Sequence, residues 1–306
     1  MKAVPIKRMS SGNKELVEDY FEAGPAYPCI FPDAIADWPA LGKWNLDFFA
    51  SQYGDEFGIA TLHFDQTSSG KATKLGEFID HLDAPLADLP GFWIGLGGTP
   101  VAQAPDYEER LVWSFRWHPL KKHRELLDDV SPFPATMPNI AARLPRDVYD
   151  FLQSISGFDF HSIYISKKHT ITPLHYDHSH TIGCLVQFQG NKKVILFPPE
   201  DFTNSEAAKF DPVGPDLSAM SEIGDRTGHE AILQPGEMLI IPPDWWHYTH
   251  SHDHSITLSH NFFNRFNFAS HIRSVFNDLG DTEDAAQLLG KIRKHLHSEP
   301  VESLPE

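Results

Sequence analysis

The sequence predicts a mainly β protein with α elements, organised around a barrel or jelly roll. One observation is compositional: 20 Gly, 24 Pro and 22 Phe suit many short strands and turns better than a helical bundle. Another is the texture after Phe160, where strand-length apolar or alternating runs follow one another at regular spacing. A third is the turn signals between those runs, among them Gln189-Gly190-Asn191 and Gln234-Pro235-Gly236. At 306 residues and 41% hydrophobic content, the chain can bury one large core or two small ones.

Asn13 to Glu22 has helical spacing of Leu16, Tyr20 and Phe21, and Cys29-Ile30-Phe31 between prolines reads as a short strand. Asn45 then caps a short helix with Leu46, Phe49 and Tyr53 on one face and Gly54 as its stop. Ile59 to Phe64 reads as a strand, Ser68-Ser69-Gly70 as a turn, and Leu75 to Leu82 as an amphipathic helix. The strand-like runs that follow are Ser162 to Ser166, Thr181 to Phe188, Lys193 to Phe197, Met238 to Ile241 and Ser255 to Ser259. Ile272 to Phe276 and Ala285 to Leu296 return to helical spacing, to pack on the barrel or on a second subunit; the tail after Ser298 is polar and frayed. The expected division is a mixed α/β region at 1–155 packing on the core, a core at 156–267 that recruits N-terminal strands, and a helical segment at 268–306.

Charge and cysteine content narrow the functions. A formal net charge of −17 with no Lys/Arg-rich run argues against nucleic acid as a partner. Two cysteines, Cys29 and Cys184, are too few for a disulfide framework or a thiolate metal site and imply a reducing compartment. The first residues lack an apolar signal segment and no long apolar run follows, so the expectation is a cytoplasmic protein without membrane association.

Eighteen histidines make chance arrangements common, and His-x-Asp occurs three times. His81-Leu82-Asp83 falls in a predicted helix, where residues two apart diverge and cannot share an ion. His63-Phe64-Asp65 sits at a strand end but runs into a polar turn with no third ligand. His175-Tyr176-Asp177 has better company. On a strand, residues two apart share a face. About seventy residues on, four apolar strand residues and a Pro242-Pro243 corner present His247 beside Trp245 and Trp246, two indoles expected to wall a pocket. Two imidazoles and a carboxylate on one face of an ion leave the opposite positions open, the donor set of non-haem Fe(II) oxygenases. The ordinary alternative is a pair of hydrogen-bonded core histidines. His178, His180, His250, His252 and His254 crowd the same segments; a parity argument puts His178 on the face opposite His175, and the others read as solvated loop residues.

The segments TPLHYDHSHTIGCLVQFQGNKKVILFPPEDF and LQPGEMLIIPPDWWHYTH resemble the JmjC, or cupin-like, family of Fe(II)/2-oxoglutarate oxygenases. The resemblance is strong over residues 160–265 and weaker around Ile35 to Trp44 and the Phe49 to Gly54 helix end. It implies a double-stranded β-helix with His175, Asp177 and His247 as iron ligands, O₂ and 2-oxoglutarate as co-substrates, and Lys192 with Thr172 on the far carboxylate of 2-oxoglutarate. Of the neighbouring lysines only one can point inward, and a buried ammonium needs a compensating anion, which a dicarboxylate supplies. The same resemblance sets Tyr164 on the co-substrate pocket and either Asn261 or Ser259 near the iron. The spacing from Asp177 to the Gly190 turn is longer than in some relatives. The implied activity is hydroxylation of a C–H bond in a protein or peptide side chain, or in a small molecule, by a possible homodimer joined through its C-terminal helices. Two other readings stay open: a metal-free cupin-like binding module, and a metal-dependent isomerase or lyase that would not need Lys192 or Thr172.

Overall fold

In chain order the strands of the computed structural model are β1 (Lys2–Pro5), β2 (Lys7–Arg8), β3 (Cys29–Phe31), β4 (Phe57–Phe64), β5 (Thr67–Lys74), β6 (Val112–Trp117) and β7 (His161–Ser166). They continue as β8 (Ile171–His175), β9 (Gly183–Gln189), β10 (Lys192–Phe197), β11 (Thr227–Leu233), β12 (Met238–Ile241), β13 (Trp246–Ser251) and β14 (Ser255–His260). The helices are α1 (Lys14–Glu22), α2 (Ala40–Lys43), α3 (Leu46–Tyr53), α4 (Leu75–Asp80), α5 (Glu125–Asp129), α6 (Arg146–Ile155), α7 (Asn204–Ala207), α8 (Phe268–Leu279) and α9 (Glu283–Leu296). The structure describes residues 2–64, 67–84, 112–117, 122–133, 144–155, 161–177, 179–207 and 226–296. None of the helices it describes is long and apolar enough to cross a membrane.

Among the described residues the strands form two sheets. One has the order β1-β11-β10-β13-β8 and the other β2-β3-β12-β9-β14-β7-β6-β4-β5. From β7 to β14 the chain passes between the sheets at nearly every step, with only β10 and β11 adjacent in one sheet, which makes a jelly roll of the double-stranded β-helix type. The region before residue 155 is not a separate layer: β1 extends the small sheet in parallel with β11, while β2 to β6 lengthen the large sheet at both ends.

Strand alternation explains the two faces of the large sheet. Its outer face carries Cys184, Val186, Met238, Ile240, Ile256 and Leu258, packed with Trp38, Trp44, Phe49 and Phe78 from the N-terminal region. Its inner face, turned toward the small sheet, contributes Leu239 and Ile241 to a second cluster with Val194, Leu196, Leu233 and Trp245. The remaining inward positions are polar and buried, including Ser162 and Ser166 on β7, Gln187 on β9, Lys192 on β10, Thr249 and Ser251 on β13, and Ser255 and Thr257 on β14. One part of the interior is therefore ordinary core and another is a chamber lined by polar side chains. Buried polar groups cost free energy unless paired, so such a chamber marks a place built for a ligand.

Local signals account for several elements. Asn13 and Asn45 cap α1 and α3 by accepting from Leu16 N and Phe48 N. In α1, however, Leu16 is exposed and Val17 packs inward beside Tyr20 and Phe21. Ser68, Ser69 and Gly70 are not a turn: Phe64 pairs with Thr67, and all three lie in β5, whose polar composition suits the sheet edge that it forms. The helix of His81 also ends earlier than its spacing suggests. His81 caps α4, its Nδ1 donating to Glu77 O at 2.7 Å, while Asp83 accepts from His254 Nε2 at 2.9 Å, so the two are drawn into separate contacts. Asp65, His178 and the tail after Ser298 lie outside the described residues.

The C-terminal helices close within the chain. Val275 of α8 and Leu288 of α9 pack on Val148 and Leu152 of α6, with Ile272, Phe276 and Ile292 around them. Trp245 and Trp246 also part company. Trp245 enters the cluster between the sheets, whereas Trp246 joins Tyr176, Phe197 and Phe202 on the outer side of the small sheet and donates to Pro199 O at 3.2 Å. They anchor two cores rather than walling one pocket, because adjacent residues in an extended chain face opposite ways.

The β9–β10 turn depends on Gly190, at φ +74°, where a Cβ would stand 2.4 Å from His254 O. Gly190→Ala is expected to destabilise the fold by about 2 kcal/mol or more. Urea unfolding of the two proteins checks this; an unchanged midpoint would mean that the turn is not constrained in this way.

Candidate metal centre

His175 ends β8, Asp177 follows two residues beyond it, and His247 is the second residue of β13. The ladder between β8 and β13 pairs His247 directly with His175, and their ring centroids lie 4.1 Å apart. One ligand atom from each of His175, Asp177 and His247 lies within 4.8 Å of the others. This is the one such group of three or more His, Cys, Asp or Glu among the described residues. His247 Nε2 stands 3.9 Å from Asp177 Oδ1.

Backbone carbonyls set the orientation of both rings. His175 Nδ1 donates to Pro173 O at 2.8 Å and His247 Nδ1 to Trp245 O at 3.1 Å, which leaves each Nε2 as the free lone pair. Burial, reinforced by the neighbouring His247, pulls His175 down to about 4, so that its imidazole is neutral at neutral pH. Neutral imidazole is the form that binds metal. Asp177 is held by Asn261, whose Nδ2 donates to Asp177 Oδ2 at 2.8 Å and to Thr181 Oγ1 at 3.1 Å. Ser259 Oγ in turn donates to Asn261 Oδ1 at 3.3 Å, so the two residues between which the sequence left a choice act in series, with Asn261 nearer the carboxylate. Gly183 leaves room for this arrangement: a Cβ there would meet Ile241 Cβ at 3.1 Å and Asp177 Oδ2 at 3.3 Å.

Lys192 lies in the polar part of the interior, 5% exposed. Its Nζ donates to Thr257 Oγ1 at 2.6 Å, Thr257 donates to Gln187 Oε1 at 2.7 Å, and Gln187 Nε2 donates to Gln189 O and Gly190 O. The chain of donors has one direction and, among the described residues, leaves the ammonium with a single neutral acceptor and no carboxylate. Burial pulls Lys192 down to about 8. Lys193, on the other face of β10, is half exposed and pairs with Glu230 at 3.1 Å. Thr257 and Gln187 carry no motif of their own; inward parity on β14 and β9 was the signal that could have found them.

Thr172 pairs with Thr249 on the face of β13 that carries His247, but it is exposed. The hydroxyl that Lys192 reaches is that of Thr257. Tyr164 pairs with Thr257 across β7 and β14 and with Arg116 across β6 and β7. Burial holds its phenol above the ordinary value, with Arg116 opposing and Asp177 adding to the shift. The longer spacing from Asp177 to Gly190 does not lift Lys192 out of the interior, where it is buried.

The residues fit a divalent cation and a small dianion. Two Nε2 atoms and a carboxylate converge on one point, and an uncompensated ammonium occupies the same chamber. Fold and centre together define a jelly-roll protein of the JmjC-like class with a His-Asp-His centre. The family comparison agrees: a family described as the cupin-like domain matches residues 18–268, and the chain belongs to it.

Relatives include human HSPB1-associated protein 1, 31% identical over 263 residues, which cover 76% of this chain and 47% of that protein. Drosophila melanogaster Jumonji C domain-containing protein 5 is 25% identical over 249 residues, covering 78% of this chain and 55% of that protein. Arabidopsis thaliana lysine-specific demethylase JMJ30 is 26% identical over 265 residues, covering 83% and 53% respectively. The chain spans about half the length of these curated relatives.

Lys192→Met removes an ammonium whose burial is unfavourable without an anion. The ligand-free protein is expected to gain up to roughly 3 kcal/mol near neutral pH. Because the folded-state value lies near 8 and the ordinary value at 10.5, the cost is present below 8 and fades as pH rises toward 10.5. The gain from Met should shrink over that window. Urea unfolding at neutral and alkaline pH measures both, and a loss of stability at neutral pH would show that Lys192 is already compensated.

Proposed function

We propose that the chain is an Fe(II)- and 2-oxoglutarate-dependent oxygenase that hydroxylates a C–H bond in a protein or peptide side chain. The observation that carries this reading is the buried ammonium of Lys192, uncompensated in the same chamber as the His175–Asp177–His247 centre. A metal-free binding module has no use for the triad, and a metal-dependent isomerase has no use for the ammonium. An enzyme with a dicarboxylate co-substrate uses both.

Geometry along the strands supports the same view. The rung that pairs Lys192 with Ser251 lies four residues from the rung that pairs Leu196 with His247, about 13 Å of strand. A diacid held at one carboxylate by Lys192 would reach toward the triad with its other end. Tyr164 and Thr257 pair across β7 and β14, and Thr172, exposed on β8 opposite Thr249, would serve as a second hydroxyl for the same carboxylate. When bound, Fe(II) with 2-oxoglutarate and O₂ would supply the oxidising chemistry, with succinate and CO₂ as co-products. The chain's own part is narrower. His175, Asp177 and His247 hold the metal on one face, Lys192 orients the diacid, Asn261 fixes the carboxylate ligand, and the packed strands limit water in the chamber.

Protein substrates are favoured by the names of the relatives, which include an HSPB1-associated protein and arginine- and lysine-specific demethylases. Removal of an N-methyl group begins with hydroxylation of its carbon, so both outcomes belong to one reaction class. The net charge of −17 favours a basic peptide through long-range attraction.

Anaerobic titration of the metal-free protein with Fe(II) and 2-oxoglutarate is expected to produce a visible charge-transfer band in the wild type. His247→Ala should lose it, and Lys192→Met should need far more 2-oxoglutarate to reach it. A folded wild type that gives no band would sink the oxygenase reading. Succinate release with basic, neutral and acidic peptide pools then tests the substrate class; stimulation by acidic peptides alone would overturn the preference for basic ones.

A further inference from the structure

Between Asp177 and β9 lies a turn that two separate parts of the structure pin. Its Ser179 and His180 have φ of 69° and 57°, a conformation that non-glycine residues rarely adopt. Helix α8 and the turn before it fix their carbonyls: His271 Nδ1 donates to Ser179 O at 3.0 Å and Asn267 Nδ2 to His180 O at 2.8 Å. The His180 side chain reaches the other way, its Nδ1 donating to Asp244 Oδ2 at 2.7 Å.

Asp244 is itself left-handed, at φ 64°, in the corner between β12 and β13. Thus two segments distant in sequence, each holding an uncommon backbone conformation, meet in one short hydrogen bond. Asp177 lies three residues before His180, and His247 three residues after Asp244.

We propose that His180 and Asp244 form a clasp that holds the Asp177 segment and the His247 corner at metal-binding separation. This rests on the reading of His175, Asp177 and His247 as a divalent-metal site. Neither residue offers an atom to that site, so both are positioning residues. With side chains 44% and 33% exposed, the pair contributes little to global stability. Its effect falls instead on how far the two segments can drift apart before metal binds. Without the clasp, the segment keeps its ties to α8 and the turn before it, to Asn261 through Asp177 and Thr181, and to Phe262 through Ile182, but loses the side-chain link between His180 and the corner that carries His247.

The test uses Co(II) alone as the probe, titrated into the metal-free full chain and followed by its visible absorption. Asp244→Gly and His180→Gly keep the left-handed backbone accessible while removing the hydrogen bond; Asp244→Asn keeps both backbone and acceptor. Each glycine variant is expected to bind Co(II) about tenfold more weakly, the double variant no more weakly than either single, and Asp244→Asn to recover most of the affinity. Urea midpoints of the metal-free proteins should match that of the wild type.

Wild-type affinity in Asp244→Gly would overturn the clasp, as would additive losses in the double variant or losses matched by a fall in the metal-free midpoint. His247→Ala separates the two readings. If the wild type binds Co(II) no better than that variant, the metal site itself is wrong and the clasp falls with it.

Discussion

The ladder that β13 makes with β8 on one side and β10 on the other governs this molecule. It places His247 against His175 on one rung and Ser251 against Lys192 further along. Because side chains alternate along a strand, a slip of one residue would send His247 to the outer side and bring Trp246 or Tyr248 into the chamber. The register is held from outside as well as inside, since Trp246 and Tyr248 are buried with Phe197 and Phe202 on the far face of the small sheet. Packing that never approaches the centre thus decides whether the centre exists.

The interior of a jelly roll is normally filled, and here only part of it is filled with hydrocarbon. Val194, Leu196, Leu239, Ile241 and Trp245 close one part around a conventional core. The other part tolerates Gln187, Thr257 and Lys192 because each polar group hands its hydrogen bond to the next, down to the carbonyls of Gln189 and Gly190. The network is satisfied except at its charged end, and that asymmetry separates a binding chamber from a merely polar core.

Much of this architecture was legible in the sequence because the relevant signals are local. Capping by Asn13 and Asn45, the apolar runs of β9, β10 and β12, and the glycine turn before Lys192 depend on neighbours in the chain. What escaped was decided by distant contacts. The strand expected at His175 starts earlier, at Ile171, and runs across Pro173 because it forms the sheet edge against β13. The polar stretch Ser68 to Gly70 reads as a turn until β4 is laid beside it. In the candidate site, the three candidate metal ligands could be picked out by residue type and spacing, while Lys192 came from the family resemblance together with the rule that only one of two neighbouring strand lysines points inward. The partners of Lys192, Thr257 and Gln187, became visible only once strands far apart in sequence were side by side.

The first strands carry a consequence for how the molecule comes into being. Lys2 pairs with Thr227 and Pro5 with Glu230, while Lys7 and Arg8 lie along β3 in the other sheet, which in turn rests on β12. Strand β1 therefore waits during synthesis until β11 has left the ribosome, and the β2–β3 pair until β12 has. Such long-range pairing slows folding and leaves strand edges exposed in the interim. The two lysines and the arginine among these first eight residues give the waiting segment a positive charge in an otherwise acidic chain. That charge keeps the unpaired edge solvated, and apart from its own kind, until it can be stitched in.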